Sequence, residues 1–193
     1  MLNEKIGLLA DEEWKKNKFN KPWYGGETAI TAIGQGFTQV TPIQLAYATA
    51  LIANPELNKK PHLLLYSEKK ELFKNIQETP KVNSKDLKLV NDAMIGVTED
   101  GGTAAFIGKN ISYKIAAKTG TAQVFSLKGQ EYDEENLPEN LKDHALFIAY
   151  APANQPKVAL AVIVEHGGHG GSAAGPIAKK FFDHYMRNLN LDN

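Results

Sequence analysis

Ten residues near the middle of the chain, Ile115–Val124, have the character of a β-strand that carries an unusual set of polar groups. Within this run, Lys118, Thr119, Gly120 and Thr121 follow one another directly. An ammonium and two hydroxyls can donate to a carboxylate and polarise a neighbouring carbonyl, and a glycine lets a substrate backbone lie against the strand. We therefore expect this strand to lie at the edge of a sheet and to form one wall of a groove.

The second half of the chain predicts an antiparallel sheet that contains this strand. The expected strands span Tyr113–Phe125, His144–Tyr150 and Val158–Glu165. The last two are joined by Ala151–Lys157, whose Pro, Asn and Gln residues suit a hairpin connection. The acidic, polar stretch Lys128–Asp143 between the first two strands predicts a surface loop.

Helices are expected on both sides of these strands in the sequence. Thr41 can cap a helix that has Pro42 at its first position and ends near Asn54. Ser84 is expected to cap a second helix, which ends near residues 100–102. Gly175 is expected to open a third, which closes the chain. Runs of strands with separate helices predict an α+β fold in one domain.

Two further segments are assigned from local composition. Pro22 and the pair Gly25-Gly26 predict loop and turn structure in the first part of the chain. The apolar run His62–Tyr66 predicts a short strand, and Glu71–Phe73 predicts its return strand.

Composition excludes several classes of function. Lys+Arg and Asp+Glu both number 22, giving a formal net charge of +0, so nucleic acid and anionic membrane surfaces are not expected as the main partner. The chain has no cysteine, which excludes disulfides and thiolate chemistry. Gly102–Lys109 lacks the spacing of a phosphate-binding loop, and no cofactor is expected. The sequence shows no signal peptide or membrane span, so any targeting segment would lie outside it.

His166-Gly167-Gly168-His169 has two interpretations. Two histidines three residues apart could form half of a metal site. The alternative is a glycine-rich turn that leads into the final helix. The turn is favoured, because no further carboxylate or cysteine ligand is placed nearby in the sequence.

An ordered series of motifs resembles the C-terminal part of the transpeptidase domain of class B penicillin-binding proteins, and within them the D,D-transpeptidases of cell elongation. The resemblance covers about residues 12–187. The matching segments are Lys21–Tyr24, Ile33–Gly36 with Thr41–Gln44, Pro61–Leu64, Gly102–Ala104, Tyr113–Phe125 and Asp143-His144 with Ala149–Pro152. Lys-Thr-Gly alone is weak support, whereas this ordered series is specific.

The resemblance implies a partial penicillin-binding-protein and β-lactamase-like fold, an antiparallel sheet flanked by helices. It implies serine acyl transfer between peptidoglycan stem peptides, with β-lactams as mimics of the donor peptide. The whole protein would be anchored in the bacterial inner membrane, act at its periplasmic face and partner a membrane glycosyltransferase of the elongation machinery.

The resemblance also implies roles for individual residues. Lys118 would supply a positive field and form a hydrogen bond toward the family's second motif, Ser-x-Asn. Thr119 and Thr121 would bind the substrate carboxylate. The backbone N–H of Thr121 would be one of two oxyanion donors. Gly120 would keep the floor of the groove open, and Gln123 would be a further substrate-binding residue.

The sequence departs from the family pattern at its nucleophile. The single Ser-x-x-Lys match, Ser67–Lys70, lies in a charged turn rather than at the start of an apolar helix, and no Ser-x-Asn occurs. We expect residues 1–193 to be the C-terminal portion of one transpeptidase domain that is inactive alone and is not acylated by penicillin. We also expect uncovered apolar sheet surface and an unpaired strand edge, and with them partial order, association with another copy or a rearranged packing.

Two alternatives remain open. The chain could be a non-catalytic module that binds peptidoglycan peptides or a partner protein through the same residues 118–121. It could also be a β-lactamase relative, although the context of Lys118 favours the larger transpeptidases. The genomic sequence upstream of Met1 would distinguish the first alternative, since an open frame with an apolar span and Ser-x-x-Lys supports the transpeptidase.

Overall fold

The computed structural model describes residues 5–57, 60–62, 81–124 and 138–191. In these ranges the helices are α1 (Glu12–Phe19), α2 (Gly25–Ala32), α3 (Pro42–Ala53), α4 (Ser84–Gly96) and α5 (Gly175–Leu191). The strands are β1 (Ala116–Ala122), β2 (His144–Ala151) and β3 (Val158–Val164). Short 3₁₀ helices span Ala105–Ile107 and Glu139–Leu141, and a π-helical segment spans Gly170–Ala174. The predicted short strands, apart from His62, and the Ser67–Lys70 motif lie outside the described residues.

The three strands form an antiparallel sheet in the order β1-β2-β3, which confirms the α+β expectation. Gly120 lies opposite Leu146 in the register of β1 and β2. β1 begins at Ala116, three residues later than predicted. Continuing the register places Pro152 opposite residue 114, and proline has no N–H to donate, so regular pairing stops there.

Helices cover both faces of the sheet because both faces carry apolar side chains. On one face, Ala116 and Tyr150 are fully buried and pack with Met94 of α4 and with side chains of α3. On the other face, Phe147 of β2 packs with Phe182 of α5, and both are fully buried. Alanines at 117, 145 and 149 add little bulk between these rings, so the backbones approach closely.

The helix starts show where local signals succeed. Thr41 caps α3 as predicted: its Oγ1 accepts from the Gln44 N–H at 3.3 Å, and Gln44 Oε1 accepts from the Thr41 N–H at 2.9 Å. The cap of α4 is Asn83 rather than the predicted Ser84, and its Oδ1 accepts from the Lys85 N–H at 2.9 Å. Asparagine and serine are equally good caps, so sequence alone does not choose between neighbours.

The loop predicted for the first part of the chain is correct at Pro22, which lies in the irregular segment 20–24 between α1 and α2, and wrong at Gly25 and Gly26, which open α2. Asp11 caps α1 by accepting from the Trp14 N–H at 2.7 Å. Lys15, buried between the helices, forms an ion pair with Glu27, which also accepts from the Tyr24 N–H at 2.8 Å. These bonds lower the pKa of Glu27, the Lys15 bond most. The ion pair and the Tyr24–Glu27 bond hold the first turn of α2, in which Gly25 and Gly26 lie.

Within the described ranges, no helix combines the length and the hydrophobicity that crossing a bilayer requires.

Gly170 is the tightest point between the sheet and the segment that leads into α5. A Cβ at this position would lie 2.1 Å from the Leu146 carbonyl oxygen and 2.5 Å from that of Gly120. Neither is the end of a flexible side chain, so the backbone layers would have to separate.

We predict that Gly170→Ala lowers the free energy of unfolding by about 1–3 kcal/mol, through overpacking. Gly96→Ala is the matched control, because a Cβ there meets no heavy atom within 4 Å. That helical substitution is expected to be neutral or to stabilise by up to about 1 kcal/mol. Urea unfolding of both variants measures the difference, and equal stability would contradict the packing role of Gly170.

Candidate functional site

β1 has an open edge in the described part of the chain, and one contact establishes which backbone groups face it. Gln35 Nε2 donates to the Thr121 carbonyl oxygen at 2.7 Å. In the described sheet β1 pairs only with β2. The Thr121 carbonyl therefore points away from β2, toward the open edge.

The N–H of Thr121 points the same way. In an antiparallel pair, the N–H and C=O of one residue lie on the same side of the strand, and the side alternates along it. Lys118 and Gly120 therefore exchange hydrogen bonds with Ile148 and Leu146, while Thr119 and Thr121 present both backbone groups outward. The Ile115 carbonyl follows the same alternation and accepts from Thr98 Oγ1 at 2.7 Å.

The ammonium of Lys118 lies along this edge. Its side chain is exposed, and Nζ donates to the outward carbonyl of Thr119 at 2.6 Å. In the ranges that the structure describes, no carboxylate forms an ion pair with it. The cation is therefore accessible to an incoming anion beside the N–H groups of the open edge.

The hydroxyls of Thr119 and Thr121 lie on one face of β1, the face opposite to that of the Lys118 side chain. Both residues are half-buried and alternate with Ala117 on the face that α5 covers. Thr119 Oγ1 lies 3.3 Å from Thr103 Oγ1, and either oxygen can be the donor. The structure thus brings a cation, outward N–H groups and a pair of hydroxyls to one length of strand.

Gly120 and Gln123 are the two remaining predicted site residues. A Cβ on Gly120 would lie 3.2 Å from the Cβ of Leu146, so the glycine has a packing role whether or not a substrate passes it. Gln123 is exposed, directly after the end of β1, and its place as a substrate-binding residue stays a prediction.

Gln35 and Thr103 contact the predicted strand but were not among the predicted site residues. Gln35 lies between Gly34 and Gly36, whose φ angles are 79° and 84°. Thr103 follows Gly102, where a Cβ would lie 2.3 Å from two carbonyl oxygens at the end of α4. Such constrained glycines are the sequence signal that a loop is held in one conformation. Both residues lie in segments that match the family in sequence, but their contacts with β1 could not be identified without the tertiary structure.

The two-histidine segment forms a turn. His166 has a φ of 55°, its N–H donates to His144 Nδ1 at 2.9 Å, and its own Nδ1 lies 3.1 Å from the Lys142 carbonyl oxygen. The rings of His144 and His166 meet edge to face, with centroids 4.8 Å apart. Both rings have protein contacts, and the described residues contain no cluster of three or more metal-ligating side chains.

Comparison with known proteins gives consistent results. The profile of the family described as "Penicillin binding protein transpeptidase domain" matches residues 3–183. The chain is 40% identical over 193 residues to the peptidoglycan D,D-transpeptidase MrdA of Escherichia coli K12, covering 96% of this chain and 30% of that one. It is 41% identical over 194 residues to MrdA of Acinetobacter baumannii, covering 95% and 28%.

Solved structures agree. The chain superposes on Pseudomonas aeruginosa PBP2, solved in complex with WCK 5153, with a TM-score of 0.78 and 36% identity, covering 96% of this chain and 39% of that chain. It superposes on Helicobacter pylori PBP2, solved in complex with MreC, with a TM-score of 0.74 and 31% identity, covering 97% and 32%. The chain thus spans about 30% of the length of the curated relatives it matches.

We predict that amide hydrogen exchange alternates along β1. The Thr119 and Thr121 N–H groups should exchange at least about a hundredfold faster than those of Lys118 and Gly120, because only the latter are bonded to β2. Residue-resolved NMR exchange measures this. Neighbouring amides of central β2, Leu146 and Phe147, serve as the control and should both be protected. Slow exchange at Thr121 would show that the edge is covered.

Proposed function

The chain belongs to the penicillin-binding protein transpeptidase family, and from that membership we propose that it is part of a D,D-transpeptidase that cross-links peptidoglycan stem peptides by serine acyl transfer. The resemblance inferred from the sequence motifs is therefore confirmed, including its relation to the MrdA and PBP2 proteins. The activity of the whole protein is proposed, since the chain spans only part of its relatives.

The observation that carries the proposal is the open edge of β1. A stem peptide that ends in D-Ala-D-Ala has a terminal carboxylate one residue beyond the peptide bond that is cleaved. Lys118, Thr119 and Thr121 supply a cation and two hydroxyls for that carboxylate. The outward N–H of Thr121 is available to the oxygen of the scissile carbonyl.

Family membership implies the chemistry of the whole protein. A serine Oγ attacks the scissile carbonyl carbon, giving up its proton to a base, and the carbonyl oxygen becomes an oxyanion. Collapse of this intermediate breaks the C–N bond, and the base returns the proton to the nitrogen of the leaving D-Ala. An amine from a second stem peptide then attacks the acyl carbon and gives a proton to the base, the ester C–O bond breaks, and serine Oγ recovers its proton. As one of two oxyanion donors, the Thr121 N–H would contribute about 3 kcal/mol of transition-state stabilisation.

We propose that the nucleophile is not in residues 1–193. This chain then supplies the Lys-Thr-Gly wall and does not form an acyl-enzyme by itself. The whole protein would act at the periplasmic face of the bacterial inner membrane, with a membrane glycosyltransferase as partner. The absence of the nucleophile is inferred from the sequence, in which the single Ser-x-x-Lys match lies in a charged run and no Ser-x-Asn occurs. The location and the glycosyltransferase partner are what the family resemblance implies.

We predict that the chain binds diacetyl-Lys-D-Ala-D-Ala reversibly and prefers it to the same peptide with a C-terminal carboxamide. An NMR titration should show the largest shifts at residues 118–121, with a dissociation constant above about 1 mM because the groups are exposed. Lys118→Met should remove most of the preference for the carboxylate. Equal binding of the two peptides would contradict the proposed wall.

The same sample provides the test of inactivity. Incubation with a fluorescent penicillin and denaturing electrophoresis should give no covalent band. A band that maps to Ser67 would identify that residue as a nucleophile and overturn the proposed division of the site.

We also propose that the chain associates with a second copy of itself, and exposed apolar surface supports this proposal. A groove of about 350 Å³ between α3 and α4 is lined almost wholly by apolar side chains, including Leu51 and Val90. Val90 is 43% exposed on α4. Burying such a surface against a second copy removes it from water.

We predict a mass above that of one chain by light scattering at concentrations of about 0.1 mM, and a return toward the single-chain mass in Val90→Glu. Ile177→Glu is the control, because Ile177 is similarly exposed, at 48%, on α5 away from this groove. A single-chain mass for the unmodified protein would argue against self-association.

A further inference from the structure

Thr103 is the one side chain outside β1 whose hydroxyl contacts a hydroxyl of the Lys-Thr-Gly segment in the described residues. Its Oγ1 lies 3.3 Å from Thr119 Oγ1, and both threonines border solvent. We propose that Thr103 is a positioning residue for carboxylate recognition, which donates its hydroxyl proton to Thr119 so that Thr119 donates its own proton to the ligand. The inference rests on the proposed function of the Thr119 hydroxyl.

The direction of the bond follows from the chemistry of a hydroxyl. Threonine has one O–H donor and accepts through its lone pairs. A carboxylate only accepts, so a Thr119 hydroxyl that binds one must spend its single proton there. The contact with Thr103 can then persist only with Thr103 as donor. Each bond in such a chain polarises the next, so Thr119 becomes the stronger donor.

The backbone holds Thr103 in place from three sides. A Cβ on Gly102 would lie 2.3 Å from the carbonyl oxygens of Gly96 and Val97, so the glycine sits directly on the end of α4. The Ala104 N–H donates to the Val97 carbonyl at 2.9 Å, and Ala104 is fully buried. A Cβ on Gly171 would lie 2.8 Å from the Thr103 carbonyl oxygen.

These constraints distinguish Thr103 from an incidental surface threonine. Residues 102–104 are fixed between α4 and the π-helical segment, and that segment also packs on Gly120 through Gly170. The backbone that carries the Thr103 hydroxyl is therefore held in place beside β1. A fixed donor sets the rotamer of Thr119 before the ligand arrives, which reduces the conformational entropy lost on binding.

The test is the preference of the chain for the D-Ala-D-Ala carboxylate over the carboxamide, measured by NMR titration. Thr103→Val should reduce this preference about threefold, the loss of one hydrogen bond. Thr103→Ser keeps the hydroxyl and should retain it. Thr38→Val is the matched control: the Thr38 hydroxyl is buried without a hydrogen-bond partner in the described structure, so its removal should leave the preference unchanged.

A double-mutant cycle separates positioning from direct contact. If Thr103 acts through Thr119, then Thr103→Val has no further effect in a Thr119→Val background. A Thr103→Val effect that persists in that background, or full preference in the Thr103→Val single variant, overturns the proposal. The χ1 couplings of Thr119 give an independent measure, since rotamer averaging should increase in Thr103→Val and not in Thr103→Ser.

Failure of the underlying function has a different signature. If the unmodified chain does not distinguish carboxylate from carboxamide, the Lys-Thr-Gly wall itself is wrongly assigned, and the role of Thr103 falls with it. If the unmodified chain makes the distinction and Thr103→Val makes it equally well, only the role of Thr103 is overturned.

Discussion

The pairing of Gly120 with Leu146 is the contact on which the site depends. Along an antiparallel strand, the N–H and C=O groups of successive residues point alternately to the two sides. This one pair therefore determines which backbone groups of β1 face β2 and which face the open edge. It turns the Thr121 N–H outward and puts the Thr119 and Thr121 side chains on the α5 face. A slip of one residue would exchange these roles and turn the hydroxyls to the opposite face.

Residues far from the edge hold that register. Gly170 lies over the Gly120–Leu146 pair so closely that even a methyl group would contact both carbonyl oxygens. On the opposite face, Ala116 is fully buried in a cluster with Met94 and Tyr150. Small residues in the strands and glycines in the adjoining segment therefore serve the site indirectly, by letting helices clamp the strand from both sides.

The sequence predicted the structural features that depend on interactions between residues close together in the chain. The Thr41 cap, the hairpin of β2 and β3, and the strand that carries Lys118 all depend on residues near one another in the chain. α1 is not among the predicted helices although Asp11 provides a local cap for it. α2 also depends on an ion pair between Lys15 and Glu27, twelve residues apart, which no periodicity indicates. The Thr103–Thr119 and Gln35–Thr121 contacts span 16 and 86 residues, so they could not be inferred without the register and the loop conformations.

The binding free energy that the groups at the open edge can provide for a carboxylate indicates which function they serve. An exposed ion pair is worth at most about 1 kcal/mol, and two solvent-accessible hydroxyl bonds add about 1 kcal/mol each. Their sum of about 3 kcal/mol falls short of the 4.1 kcal/mol that corresponds to a millimolar dissociation constant. A free-standing binding module with these contacts would be nearly empty at ordinary ligand concentrations. The same groups become much stronger when a second wall excludes water and lowers the local dielectric constant. The accessible Lys118 is therefore better suited to half of an enclosed catalytic groove than to a complete receptor.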